Sequence, residues 1–147
     1  MKTLVCPVDF SATTAAVVDL AGRISQAFGA RLCILHVAAP DPEFVGYEAG
    51  PQVVRDAVAR KFRREHQQLE EIEADLRSRN VDVEALLIQG PTVEKILTET
   101  ARLGGEMIVI GSHGHSALHD LLVGSVTVGV LRGAKCPVLV VPAQRSA

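Results

Sequence analysis

The segment Gly111 to Ser125, GSHGHSALHDLLVGS, follows the apolar run MIVI at 107–110 and gathers three glycines and three histidines in fifteen residues. Two chemistries suit that composition. Glycine lets an anion approach backbone amides without a Cβ in the way, and a helix N-terminus adds unpaired N–H groups and the positive end of a dipole. Gly111 and Gly114 would frame a turn after a strand, and Gly124-Ser125 would open the next helix, where Ser125 and Thr127 add hydroxyl donors. The two glycine turns then act as the jaws of a phosphate cradle, which His113 or His115 could touch. The other chemistry is metal binding by His113, His115, His119 and Asp120, since zinc takes three or four ligands on a rigid frame. His115 and His119 share a face only if 115–122 is helical, and no cysteine is near in sequence. Histidines lying at a loop surface, and glycines that serve only turn geometry, are the plainer alternatives. No GxxxxGK[ST] occurs and no GxGxxG follows the first strand, so neither familiar phosphate loop is at work.

The elements that must position this segment alternate along the chain. Apolar runs at 3–8, 31–37, 81–88, 107–111 and 137–142 read as strands, four of them apolar enough to be buried on both faces. VDVEALLI at 81–88 alternates at its start, as an edge strand does. Between the strands, a helix capped by Ser11 runs to Phe28 and stops at Gly29, and the longest helix covers 52–79. Its outer face carries the charge run RKFRREHQQLEEIEADLRSR, read as solvated surface or as a partner-binding face. Pro91 suits the first turn of a third helix, and a fourth runs from Ser125 to Arg132. Residues 38–51, with three prolines and two glycines, read as an extended loop at the carboxyl end of the second strand. Strict alternation predicts an α/β fold: one doubly wound domain over 1–147, with a parallel sheet of five strands and four helices. Such sheets bind ligands outside the carboxyl ends of their strands, where strand order reverses. The loop VDFS after the first strand and GSHGHS after the fourth are the candidates there.

With 147 residues, 48% apolar but only 3% aromatic and no Trp, the core is built from Val, Leu, Ile and Ala. A net charge of −2 offers no general attraction to nucleic acid or anionic lipid. No apolar run approaches the roughly 18 to 20 residues that span a membrane, and no signal-peptide core is seen. A cytoplasmic protein with Cys6, Cys33 and Cys136 as reduced thiols is expected.

The signature G-x2-G-x9-G-[ST], filled by Gly111, Gly114, Gly124 and Ser125, resembles the nucleotide-binding signature of the universal stress protein family. LVCPVDFS, GARLCILHV and LRGAKCPVLVVP resemble that family's opening strand with its aspartate, its second strand, and its closing helix and strand. The resemblance implies a Rossmann-like architecture, sheet order 3-2-1-4-5 and a homodimer through the last strand, around Val138, Leu139, Val140 and Val141. It also implies ATP bound with Mg2+ or Mn2+. Pro7 and Val8 would be among the nucleotide-binding residues, Asp9 would lie by the nucleoside, Val37 would offer backbone groups to adenine, and Gly111 would border the ribose. Gly114, Gly124, Ser125, Val126 and Thr127 would hold phosphates. A capping or turn role for Asp9 is the alternative.

Binding ATP does not make an ATPase. Phosphoryl transfer needs strong neutralisation of developing charge, and no Lys or Arg lies between 107 and 131, so hydrolysis would be slow at most. A nucleotide-binding regulatory dimer read by an unknown protein partner is therefore expected, with a slow nucleotide hydrolase or a nucleotide-independent, chaperone-like dimer as alternatives. A flavin carrier would share the fold, but Tyr47 is the sole large aromatic beyond four Phe.

Overall fold

The computed structural model describes residues 1–38, 52–113 and 123–143. They form β1 (Thr3–Pro7), α1 (Thr14–Phe28), β2 (Arg31–Ala38), α2 (Gln52–Ser78), β3 (Val83–Gln89), α3 (Thr92–Arg102), β4 (Met107–Gly111), α4 (Ser125–Gly133) and β5 (Val138–Val141). The five strands are parallel and lie in the order β3-β2-β1-β4-β5, as expected. The alternating start of β3 matches its place at one edge, while β1 and β2 lie buried inside the sheet.

Period-two side-chain direction divides the core in two. Leu4, Cys6, Leu32, Ile34 and Val109 point to one face, where Val17, Val18 and Ala21 of α1 and Leu69 and Leu76 of α2 cover them. Val5, Cys33, Leu35, Ile108 and Ile110 point to the other, against Ile96 of α3 and Val130 of α4. Helix α1 stops at Gly29, whose φ of 59° is left-handed and whose N–H donates to the Gln26 carbonyl at 3.2 Å.

The start of α1 departs from expectation. Ser11 is not its N-cap: the cap is Thr13, and the first helical residue is Thr14. Phe10 takes φ 58°, and the Asp9 carboxylate accepts the Ser11 N–H at 3.0 Å, so the chain turns once more before the helix begins. The expected loop 39–51, with Tyr47, lies outside the described residues.

Burial holds the thiols of Cys6 in β1 and Cys33 in β2 neutral, pushing each up to about 12. Cys136, before β5, is also raised by burial but lies half exposed. Neutral thiols are poor nucleophiles and metal ligands, so the two strand cysteines act as small core residues.

Candidate functional site

Strand order reverses between β1 and β4, so the loops following these two strands diverge at the carboxyl edge and leave a crevice. The β1 loop is shaped by polar contacts. Val8 donates its N–H to the Leu35 carbonyl at 2.9 Å, continuing the pairing of β1 with β2. Asp9 bonds the Ser11 amide and lies 3.5 Å from the Thr14 hydroxyl, so its carboxylate builds the turn it sits on. The turn role is thus observed; it leaves Asp9 at the crevice mouth.

The β4 loop is tied to three neighbours. The Ser112 N–H donates to the Val141 carbonyl at 2.8 Å, and the Ser112 Oγ accepts the Ala143 N–H at 3.0 Å. Its Oγ also lies 2.8 Å from His113 Nδ1. The His113 carbonyl accepts the Thr13 hydroxyl at 3.1 Å, joining the two loops across the crevice. Gly111 packs flush against α1: a Cβ there would meet Thr13 Oγ1 at 3.3 Å and Val17 Cγ2 at 3.4 Å. This glycine serves close approach rather than an unusual backbone angle.

The start of α4 is pinned beside that loop. Gly124, the cap, donates its N–H to the Ser112 carbonyl at 2.6 Å, and the Thr127 hydroxyl donates to the Gly111 carbonyl at 2.7 Å. Thr127 is buried, so its hydroxyl holds the fold and is spent before any ligand arrives. The amides of Ser125, Val126 and Thr127, in the first turn, lack carbonyl partners within their own helix. Ser125 is exposed, and Gly124 has no side chain to cap these amides or to crowd an anion. With φ −72° and ψ 161°, Gly124 has a backbone open to any residue, so its lack of a side chain leaves room rather than relieving strain.

Of the expected ligand residues, Pro7, Val8, Asp9, Gly111, His113, Gly124, Ser125, Val126 and Thr127 therefore collect along one stretch of the carboxyl edge. Val37 stands on the neighbouring strand, nearly buried. Gly114 and His115 lie outside the described residues, as do His119 and Asp120, and with them most of the metal reading. Among the described residues no cluster of three His, Cys, Asp or Glu could hold an ion.

Two participants were missed from sequence. Ser112, only 4% exposed, links β4, β5 and α4. His36, buried in β2, bonds the Val8 carbonyl through Nδ1 at 2.8 Å and Glu65 of α2 through Nε2 at 2.9 Å, with Phe10 against its ring. It locks the end of β1 to α2 just beneath the crevice. A visible trace existed: Glu65 is the charged residue on the otherwise apolar stripe of Val58, Leu69, Ile72 and Leu76. A separate open cavity of about 550 Å³ runs between α1 and α2, lined by Phe10, Thr14, Val18, Gln68 and Ile72.

The architecture is that of a doubly wound parallel α/β domain, with a helix N-terminus lacking a side-chain cap at its switch point. The chain belongs to the universal stress protein family, whose profile matches residues 1–142. A universal stress protein of Thermus aquaticus is 30% identical over 142 residues, 95% of this chain and 98% of the relative. The fold is similar to that of MJ0577 of Methanocaldococcus jannaschii, with TM-score 0.82, 26% identity, and 99% and 98% of the two chains covered. A universal stress protein solved in complex with cAMP shares it at TM-score 0.71 and 24% identity, over 96% of each chain.

Proposed function

We propose that this protein is a cytoplasmic ATP-binding regulator of the stress response, acting as a homodimer paired through β5. The observation that carries the reading is the carboxyl edge itself. The Thr13–His113 link joins the β1 and β4 loops, and the uncapped first turn of α4 stands bonded to the second of them. An anion there meets backbone donors and the positive end of a helix. The adenine nucleotide held by the relative in complex with cAMP supports an adenosine ligand.

In this reading Asp9 contacts the nucleoside, Val37 offers backbone groups to the base, Pro7 and Val8 shape the turn beside them with the Val8 backbone bonded to β2, and Gly111 borders the ribose. The amides of Ser125, Val126 and Thr127 hold phosphates, with Gly114, His113 and His115 on the opposite jaw. Mg2+ or Mn2+, when bound, neutralises the phosphate chain. Among the described residues, the exposed Ser125 hydroxyl could join phosphate and water oxygens around the cation.

The absence of Lys and Arg between 107 and 131 suits a sensor better than a phosphoryl-transfer enzyme. β5 is a sheet edge whose Leu139 is 37% exposed, and pairing with a second copy hides both its apolar side chain and its unpaired backbone groups.

Isothermal titration with Mg-ATP tests the reading against a Gly124→Val variant. Valine fits the backbone angles at 124, so the fold survives while two added methyls block the α4 amides. Binding by wild type and loss in the variant supports the cradle. Equal binding by both, or by neither, overturns it.

A further inference from the structure

Helix α2 is longer than the sheet it covers. Glu65 meets His36, two residues before the end of β2, so residues 52–64 continue past the carboxyl edge for about 20 Å at 1.5 Å per residue. Its buried residues, Leu69 and Leu76, both lie in the second half. The stripe turned away from the sheet begins with Val53, Ala57, Arg60 and Arg64 and continues with Gln67, Glu71, Ala74 and Ser78, every one exposed. Its spacing alternates between four and three, so the eight positions line one face of the helix.

Charge along this helix is segregated. Residues 52–64 carry five basic side chains against Asp56, and residues 65–78 carry five acidic ones against Arg77. Arg60 has Arg63 and Arg64 as its i+3 and i+4 neighbours, and Glu71 has Asp75. Such like-charge neighbours destabilise a lone helix. Among the described residues Arg60, Arg63 and Arg64 form no ion pair, whereas Lys61 and Arg77 are each paired within the helix.

We propose that α2 docks antiparallel on α2 of a second copy, about a two-fold axis passing between Arg64 and Gln67. Under that symmetry the stripe pairs with itself in reverse order. Arg60 faces Glu71 of the second copy, twice over. Ala57 faces Ala74, two small residues that let the helices close, and Arg64 faces Gln67 at the centre. The basic half of each helix lies on the acidic half of the other, so repulsion within one helix becomes attraction between two. The seam has little apolar area, so the association is weak, and salt weakens it further. It lies on the β2–β3 side of the molecule, apart from the β5 edge, and does not depend on nucleotide binding.

Disulfide trapping tests this in a Cys136→Ser background, where Cys6 and Cys33 are buried. An equimolar mixture of Ala57→Cys and Ala74→Cys chains should give a disulfide-linked dimer under mild oxidation. Neither chain alone should, because identical positions on the paired helices stand about 26 Å apart. Arg60→Glu, or Glu71→Arg, should lower trapping about tenfold by making two weak pairs repulsive, and the combined swap should restore it. Far-UV circular dichroism confirms that each exposed substitution leaves the fold intact. A mixture that traps no more than its single components overturns the proposal, as does a swap as weak as either reversal. A β5 dimer cannot mimic the result, since it brings no residue 57 to a residue 74.

Discussion

Gly111→Ala is the most direct probe of how the two crevice loops are held. A Cβ at 111 would stand 3.3 Å from Thr13 Oγ1, 3.4 Å from Val17 Cγ2 and 3.5 Å from the His113 carbonyl oxygen. The first falls below comfortable contact, so Thr13 must shift by a few tenths of an ångström. Thr13 cannot do so freely, because its hydroxyl bonds the His113 carbonyl at 3.1 Å and lies 3.0 Å from Ser11 Oγ. Overpacking of this kind costs about 1–3 kcal/mol, and the lower half of that range is expected where the clashing atom is a side-chain hydroxyl. Thr13→Ala alone should cost about 1 kcal/mol for the lost hydrogen bond. In the double variant the clash with the hydroxyl is gone, so the combined cost should fall short of the sum by about 1 kcal/mol. Urea denaturation of the four proteins closes this cycle, and titration with Mg-ATP reads whether the displaced loop also loses ligand. If Gly111→Ala matches wild type within about 0.3 kcal/mol, or the two costs simply add, Gly111 is not there to admit Thr13.

Asp9→Ala should weaken Mg-ATP binding while leaving far-UV circular dichroism unchanged; unaltered affinity would leave Asp9 with its turn role alone. Leu139→Arg should convert a dimer to a monomer by light scattering at micromolar concentration, and a wild type that is already monomeric would remove the β5 pairing. Alkylation of the native protein near pH 8 should modify Cys136 well before Cys6 and Cys33, whose thiols stay neutral to about 12. The same shift has a stability consequence. An unfolded chain ionises these thiols near their ordinary 9.0, and the fold does not, so their contribution is complete below pH 9 and is lost as pH rises towards 12. Urea midpoints should therefore fall with pH across that window less steeply in Cys33→Ala than in wild type, and equal slopes would defeat the assignment.

β1, β2 and β4 were legible because burial on both faces writes itself as unbroken apolar runs, and the partial alternation of β3 marked an edge; β5 carries the same unbroken run yet stands half-exposed at the opposite edge, so there the expected burial was not met. The order of the strands came only with the family resemblance, since periodicity carries no information about which strands adjoin. Ser11 was misjudged because a serine before an apolar helix is a good cap in isolation. What overrode it was a carboxylate two residues earlier, together with a left-handed Phe10. In the crevice, the glycines stood out by composition, while their division of labour did not. Gly111 makes room for α1, Gly124 leaves α4 uncapped, and Thr127 turns its hydroxyl inward, three outcomes that depend on neighbours from distant parts of the chain. His36 and Glu65 are 29 positions apart, and only the packing of α2 on β2 brings them together.

The sheet is a partition. Side chains of α1 and α2 meet on one side of it and those of α3 and α4 on the other, so the two apolar layers communicate mainly through the strand backbones between them. The carboxyl edge is an opening in that wall. The turn leading into α1 belongs to the first layer and the first turn of α4 to the second, and both border the same crevice. A ligand seated there acts as a rivet through the partition. Its binding energy is shared by both layers, so amide exchange would slow together in α1 and α4, elements that scarcely touch, and the fold would open less often as two separate leaves.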